Sequence, residues 1–445
     1  MRFRRFFSAF FCAVLLLTLC PLAGAAEDKT LPSIDIQAKA ALLVDQNTGK
    51  PVYAKNEHEQ LYPASLTKIM TCLIALENGN LSDVVTVSES ALADLDEDSS
   101  VAGLVVGEQM TLENLLYCMM VVSGNDACNV IAEHVAGSVT DFVRMMNQRA
   151  YELGCTNTHF NNPHGLHDES HYTTARDLAI ITQAALKSEN FRQIVDTYEY
   201  KLPDDNMRQN IPKLKTTNML IYQSMSNSLY YPRAHGIKTG YTSQAGRCVI
   251  SEATGDGLDL LGIVCGAATT VLDSGDLLME NFTECARLFD YGFDNYSYLT
   301  LMSPLYPVDQ VKINNSAGAE AVAVAPQDEI KVLLPNDYDP DQLETKIQLN
   351  SESVDAPVHE GDVLGSATRT RASAARASTR ARISCFPTAA GTPSTWTAAQ
   401  ARSCGTTANM SRSRRPLPCA TPAAARCRTH GSTDEFSCCQ SQEMW

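Results

Sequence analysis

The chain has 445 residues, 44% of them hydrophobic and 19% charged, with a formal net charge of −16. Such a length suggests two or three domains, and such a composition excludes disorder over most of the chain. The acidic balance excludes a nucleic-acid binder, which needs a basic face to meet phosphate. The charge is unevenly spread. Residues 366–445 hold 11 Arg, no Lys and three acids, whereas residues 1–365 hold 24 basic and 48 acidic residues.

Residues 1–26 read as a secretory signal. Arg2, Arg4 and Arg5 form the positive start, Phe6 to Leu19 the apolar run, and Ala23-Gly24-Ala25 the small residues for cleavage. No later stretch is apolar for long enough to cross a bilayer. The expectation is an exported protein with no membrane anchor evident in this chain. Between the signal and Ser366 lie Cys72, Cys118, Cys128, Cys155, Cys248, Cys265 and Cys285. Their odd number and wide spacing do not make a disulfide framework, and without a C-x-x-C pair no zinc knuckle is expected. Cys72 and Cys118 sit in apolar helical runs and read as buried thiols.

In chain order, Ala38 to Asp45 and Pro51 to Ala54 read as strands around the turn Asn47-Thr48-Gly49. Pro63 marks a helix start, and Leu66, Ile69, Leu73 and Leu76 recur at helical spacing until Gly79. Thr111 to Ala136 is largely helical, interrupted at Ser123-Gly124-Asn125. Asn162-Pro163-His164-Gly165 is a loop. Thr174 with Asp177 forms a capping box before the helix Ala175 to Leu186. Gly246 to Ala253 and Leu258 to Gly266 make a hairpin through Gly255-Asp256-Gly257, followed by a helix over Leu277 to Tyr291. The sum is an antiparallel sheet plus helices, an α/β fold of the α+β type.

From Ser303 onward short alternating runs over 308–313, 321–324, 330–334 and 346–349 read as a small all-β module. It is expected to stop in mid-sheet near Gly365. The remaining residues contain one Leu, one Ile and no Val, which cannot build a core. Their bias to Arg, Ala, Ser, Thr, Pro and Cys without Lys has two readings: a GC-rich gene translated out of frame, which is favoured, or a natural basic low-complexity tail able to bind an anionic wall or lipid. The expected organisation is a signal over 1–26, a catalytic domain over 27–295, a truncated β domain over 303–366 and a disordered tail over 367–445.

Three short motifs carry chemistry. Ser65-Leu66-Thr67-Lys68 is the chain's one S-x-x-K. Three residues apart on a helix, the hydroxyl and the amine share a face. A serine needs a base to become a nucleophile, and a lysine serves if burial or neighbouring positive charge lowers its pKa. The helix N-terminus there favours developing negative charge. Ser123-Gly124-Asn125 is an S-x-N, a weak pattern alone that Ser188-Glu189-Asn190 repeats. Lys238-Thr239-Gly240 precedes the hairpin strand. It offers a cation and a hydroxyl to a carboxylate, with Gly240 letting a ligand lie against the backbone. The three in this order are a strong joint signal.

With LLVDQNTGKPVYAKNEHEQLYPASLTKIMT, VVSGNDA, NPHGLHDESHYTTARDLA and HGIKTGYTSQAGRC, the chain resembles the D-alanyl-D-alanine carboxypeptidases. These are the low-molecular-mass penicillin-binding proteins of peptidase family S11. The resemblance covers about residues 35–290 as catalytic domain and continues to about Gly365 as the family's β domain. It implies a penicillin-binding, serine β-lactamase-like fold. It also implies removal of the terminal D-alanine from peptidoglycan stem peptides through an acyl-enzyme, covalent binding of β-lactam antibiotics, and no cofactor or metal. Carried over, Ser65 is the nucleophile, Lys68 its proton acceptor and Ser123 the proton relay to the leaving group. Asn125 holds the substrate amide, and Lys238 and Thr239, with Gly240, bind the terminal carboxylate. The backbone N–H groups of Ser65 and Tyr241 form the oxyanion hole.

His167-Asp168-Glu169-Ser170-His171 imitates a zinc-protease motif, but Asp168 stands where that motif needs Glu, so no metal site is expected. His164 reads as a loop-ordering residue, and Arg233 and Arg247 as solvated surface cations. Two rival functions are weighed. A β-lactamase of the same fold would need an E-x-x-L-N string, which is absent. A silent wall-binding protein would not keep all three motifs intact.

Overall fold

The computed structural model describes residues 33–371 and 378–385, apart from 94, 96–98, 273–276 and 340–342. Two strands open the fold: β1 (Ala40–Asp45), wholly buried, and β2 (Lys50–Lys55), largely exposed. The run AALLVD is apolar on both faces because β1 lies inside the sheet, with cover on both sides. The alternation in β2 marks an outer strand.

A short 3-10 turn, Ala64–Thr67, leads into α1 (Lys68–Asn78). This differs from the single helix expected from Pro63. Asn114 N–H is capped by the Thr111 side chain at the start of α2 (Leu112–Val121), and α3 (Asn125–Ala136) follows after a three-residue break. The expected capping box at Thr174 is half formed. Thr174 Oγ accepts from Asp177 N–H (3.0 Å) at the start of α4 (Ala175–Ala185), but the Asp177 carboxylate turns to Asn157 N–H and the Thr158 hydroxyl. The decoy Ser188 caps the next short helix, Glu189–Val195.

Three long strands complete the main sheet: β3 (Ala234–Thr242), β4 (Gly246–Gly255) and β5 (Leu258–Ala267). The order is β2-β1-β5-β4-β3, antiparallel throughout, so β3 is an edge. The helix expected over 277–291 begins later, as α5 (Glu280–Asn295), after a short strand Leu277–Met279. One face of the sheet packs on α5 through Val249, Leu260, Val264, Phe282, Leu288 and Phe289. The other packs on α1–α4 through Leu42, Ile250, Ile263, Leu66, Ile69 and Met70. Each such side chain contributes about 1.5–3 kcal/mol on burial, an upper figure for real unfolded chains.

Beyond α5 the regular elements among the described residues are all β. Strands β6 (Tyr296–Met302) and β9 (Ile330–Pro335) form a ribbon, and Tyr298 OH donates to Asp45 Oδ2 (2.7 Å), tying the ribbon to the end of β1. Strands β7 (Asp309–Asn314), β8 (Ala321–Pro326), β10 (Leu343–Leu349), β11 (Ser353–Asp355), β12 (Val363–Arg371) and β13 (Ser378–Cys385) make a six-stranded sheet. Its order is β10-β12-β13-β8-β7-β11, with only β7 and β11 parallel. The module therefore does not stop at residue 366. Its ladder runs on to Cys385, because strand pairing needs a partner edge and a β-compatible alternation rather than aliphatic content. The tail expected over 367–445 lies, from 386 on, outside the described residues. Among the described residues no helix is long and apolar enough to cross a membrane.

Candidate active site

The site forms where the edge strand β3 passes the 3-10 turn. In a 3-10 turn side chains three residues apart eclipse, so Ser65 and Lys68 stand directly over one another. Lys68 Nζ donates to Ser65 Oγ (2.9 Å), to Asn125 Oδ1 (2.6 Å) and to the His164 carbonyl (2.7 Å). Lys68 is fully buried, and burial pushes its amine below the usual lysine range. A lysine in that state is a credible proton acceptor for a serine three residues away.

The backbone around Ser65 is strained and held from three sides. Among the described residues six non-glycine residues have positive φ; four are Asn or Asp, which tolerate it. The other two are Ala64 (φ 48°) and Ser123 (φ 65°), next to Ser65 and in the S-x-N. Gly165 (φ +94°) lies against Ala64 so closely that a Cβ there would sit 1.8 Å from the Ala64 carbonyl oxygen. His171 Nδ1 accepts from Asn161 N–H (3.1 Å), so its Nε2 carries the proton and donates to Thr67 Oγ1 (2.8 Å). Thr67 Oγ1 in turn donates to the Ala64 carbonyl (2.8 Å). Thr71 Oγ1 donates to the Pro163 carbonyl (2.6 Å). Gly240 supplies the third side: a Cβ there would lie 3.0 Å from Ser65 N.

The S-x-N break is fixed by the next residue. Asp126 is buried, and its carboxylate accepts from Ala102, Leu104 and Ala127 N–H groups. Gly124 leaves that carboxylate room, since a Cβ would sit 2.7 Å from Asp126 Oδ1. Ser123 is buried in this turn, but its hydroxyl is not among the partners of Lys68.

Along β3, Lys238 is buried and donates to the Thr239 carbonyl (3.0 Å). Burial, then the charge of Lys68, pushes its amine well below the usual range. Thr239 Oγ1 pairs with Thr217 Oγ1 (2.6 Å). Tyr241 is exposed, with the Arg247 guanidinium 4.8 Å from its ring centre. The structure thus gathers Ser65, Lys68, Asn125, Lys238, Thr239, Gly240 and Tyr241 where β3 passes the 3-10 turn, with Ser123 in the turn before Asn125.

The remaining sequence candidates separate. His167 is exposed and meets the Tyr62 ring edge-on, while His171 is buried against Thr67, so the two histidines do not share a ligand. His164 orders its loop: its carbonyl receives Lys68 and its Nδ1 accepts from Leu166 N–H (3.2 Å). Burial holds the rings of His164 and His171 neutral, down to about 3 and about 4. Arg233 pairs with Asp256 (2.7 Å). Arg247 is half-buried and donates to Thr269 Oγ1 (2.7 Å), so it is less solvated than expected. Sequence reasoning missed Thr67, Gly165, His171 and Thr217. The loop motif Asn162-Pro163-His164-Gly165 was the available signal for one of them, Gly165. Cys72, Cys118, Cys128, Cys155, Cys248, Cys265 and Cys285 are all buried and free.

The family described as D-alanyl-D-alanine carboxypeptidase, Peptidase S11, matches residues 25–269. The chain is 34% identical to the D-alanyl-D-alanine carboxypeptidase DacF of Bacillus subtilis, over 81% of this chain and 89% of that protein. It is 30% identical to the D-alanyl-D-alanine carboxypeptidase DacC of Escherichia coli, over 79% and 84%. In structure it is similar to penicillin binding protein 5 from Haemophilus influenzae, with a TM-score of 0.59 and 27% identity over 80% of this chain and 98% of that one.

Proposed function

Because the chain belongs to the D-alanyl-D-alanine carboxypeptidase family, peptidase S11, and is a serine carboxypeptidase of that kind, we propose that Ser65 is its nucleophile and Lys68 its base. The observation that carries the assignment is the 2.9 Å contact between Ser65 Oγ and a buried, pKa-lowered Lys68 Nζ. Ser65 Oγ attacks the carbonyl of the penultimate D-alanine, passing its proton toward Lys68. The bond to the terminal D-alanine then breaks, leaving an acyl-enzyme that water hydrolyses. Ser123 is the proton relay to the departing amine. Asn125 holds the peptide amide, and the N–H groups of Ser65 and Tyr241 receive the oxyanion. Lys238 and Thr239 bind the terminal carboxylate, and Gly240 allows the peptide to lie along β3.

The same geometry supports covalent capture of β-lactam antibiotics, whose strained amide and carboxylate imitate the peptide end. The substrates are peptidoglycan stem peptides, met outside the cytoplasm, with residues 1–26 as the export signal and 27–295 as the catalytic domain. Full-length protein should label with a fluorescent penicillin and release D-alanine from a peptide ending in D-Ala-D-Ala. Fast turnover of penicillin without accumulated adduct would instead make the protein a β-lactamase.

A further inference from the structure

The buried thiols include one facing pair. Cys248 stands on β4 and Cys265 on β5, neighbouring strands of the main sheet. The ladder pairs Ile250 with Ile263 and Val249 with Val264, so the next position sets Cys248 against Cys265. There the register slips by one, and Arg247 pairs with Ala267. Alternation sends both thiols to one face. Ile250, Ile263, Cys248 and Cys265 enter the core shared with α1–α4, while Val249 and Val264 enter the opposite one. The two backbones pinch together just beyond, where a Cβ on Gly246 would lie 3.1 Å from Gly266 Cα. The two thiols hydrogen-bond each other. None of Cys72, Cys118, Cys128, Cys155 and Cys285 has a thiol as hydrogen-bond partner among the described residues. Facing Cα atoms of an antiparallel pair lie about 4.5–5.5 Å apart, inside the window of about 4.4–6.8 Å that a disulfide bridges.

We infer that Cys248 and Cys265 are a modification site: a cross-strand disulfide closes between them when the chain folds in oxidising surroundings, clipping the strand beside the K-T-G. The inference goes beyond the proposed reaction, and the proposed export is what supplies such surroundings. The oxidant is another disulfide, that of glutathione or of a thiol oxidoreductase. The Cys248 sulfur attacks one sulfur of that disulfide and expels the other as a thiol. The Cys265 sulfur then attacks Cys248 in the mixed disulfide, forming the new S–S bond and expelling the second thiol. Two protons and two electrons pass from the cysteines to the oxidant. The bond to Cys265 holds the Cys248 thiol below the usual range, which suits it to attack first. Both cysteines are buried in the finished fold, so the bond closes while the hairpin that joins them is still uncovered by the helices. The place of the clip matters to the site. β3 is an edge whose neighbour in the sheet is β4, and Gly240 pairs with Cys248 itself. Cys265 pairs on its other side with Ala40 of the buried β1. The disulfide therefore ties the strand that supports Lys238-Thr239-Gly240 to the middle of the sheet.

The test refolds the reduced full chain from urea into a buffer of reduced and oxidised glutathione, with circular dichroism showing that the fold is regained. Free thiols are blocked with N-ethylmaleimide in denaturant. The chain is then cut at aspartate, which parts the two cysteines at Asp256 and Asp259 and sets Cys285 apart at Asp273. The expected product is a linked pair of peptides holding Cys248 and Cys265, two hydrogens lighter than their sum, that separates on reduction. Separate peptides each carrying maleimide, or Cys248 joined to any other cysteine, overturn the pairing. Melting of native protein that was never unfolded gives a second readout. Its midpoint should stand about 5 °C higher in oxidised than in reduced glutathione, with no such rise in Cys265→Ser. No rise in the unaltered chain, or an equal rise in the variant, overturns the clip. Ser65→Ala should form the same link, so the pairing is judged apart from the site assignment.

Discussion

The catalytic sheet and the C-terminal β module are both antiparallel ladders, but they differ in depth. Every residue of β1 is buried, and the sheet has a core on each face. The module's buried core is Leu301, Met302, Val311, Val324 and Ala367. The difference shows where a protein can keep unfavourable local states. Strained backbone costs on the order of 1–3 kcal/mol per residue, and buried amines cost more unless bonded. Ala64, Ser123, Lys68 and Lys238 all sit in the deep region. The module's one non-glycine residue of positive φ among the described residues is Asn315, a type that accepts it readily.

Four experiments break or sharpen this contrast, in falling order of expected effect. Ser65→Ala removes the proposed nucleophile and should cut D-alanine release by about 10⁴-fold, with penicillin labelling lost and the melting temperature kept. Retained labelling would move the nucleophile elsewhere. Gly165→Ala forces a Cβ onto the Ala64 carbonyl at a φ that alanine avoids. A loss of about 3 kcal/mol is expected, along with a fall in acylation rate of about 100-fold in whatever remains folded. Unchanged acylation would show that Ala64 is not held by that loop.

Acid supplies the third. His164 and His171 have folded-state pKa values of about 3 and about 4, below the ordinary 6.5. The unfolded chain therefore binds their protons first. The stability they contribute is whole above about pH 6.5 and is lost as pH falls toward 4, at about 1.4 kcal/mol per pH unit for each ring. Denaturant titrations from pH 7 to pH 4 should show a shallower slope in His171→Gln. An unaltered slope would mean His171 is not buried neutral. The smallest effect is expected in the module. Val311→Ala should cost about 1–2 kcal/mol in the module's own unfolding while leaving kcat/KM unchanged. A matching fall in activity would make the two regions one cooperative unit.

The motif residues were legible in the sequence because their chemistry demands fixed types at fixed spacings. Ser65 with Lys68, Asn125, and Lys238-Thr239-Gly240 could be named from type and order alone. The buried, doubly covered strand AALLVD and the hairpin before α5 were legible from apolar runs and Gly-Asp-Gly. What stayed hidden is carried by the backbone or by distant partners. The carbonyl of His164 has no residue identity to read, so its bond to Lys68 left no mark in the sequence. Thr67 and His171 lie 104 positions apart, and only the folded loop shows that one holds the other. The 3-10 turn was missed because helical periodicity does not separate it from a first α turn. Strands β12 and β13 were missed because a search for aliphatic content passes over Thr, Ala and Arg alternation.

The separations of the site's partners along the chain bear on when the enzyme first exists. Lys68 meets Asn125 across 57 positions and His164 across 96, and Ser65 waits for Gly240, still further on. Loops of that span close late and slowly relative to local helices. A chain emerging from synthesis or passing through a narrow channel carries a complete Ser65-to-Lys68 motif early, yet no reactive serine. Reactivity arrives only once the edge strand has docked. The proposed nucleophile is thus born latent, and covalent penicillin capture would report docking of β3 on the 3-10 turn as directly as it reports catalysis.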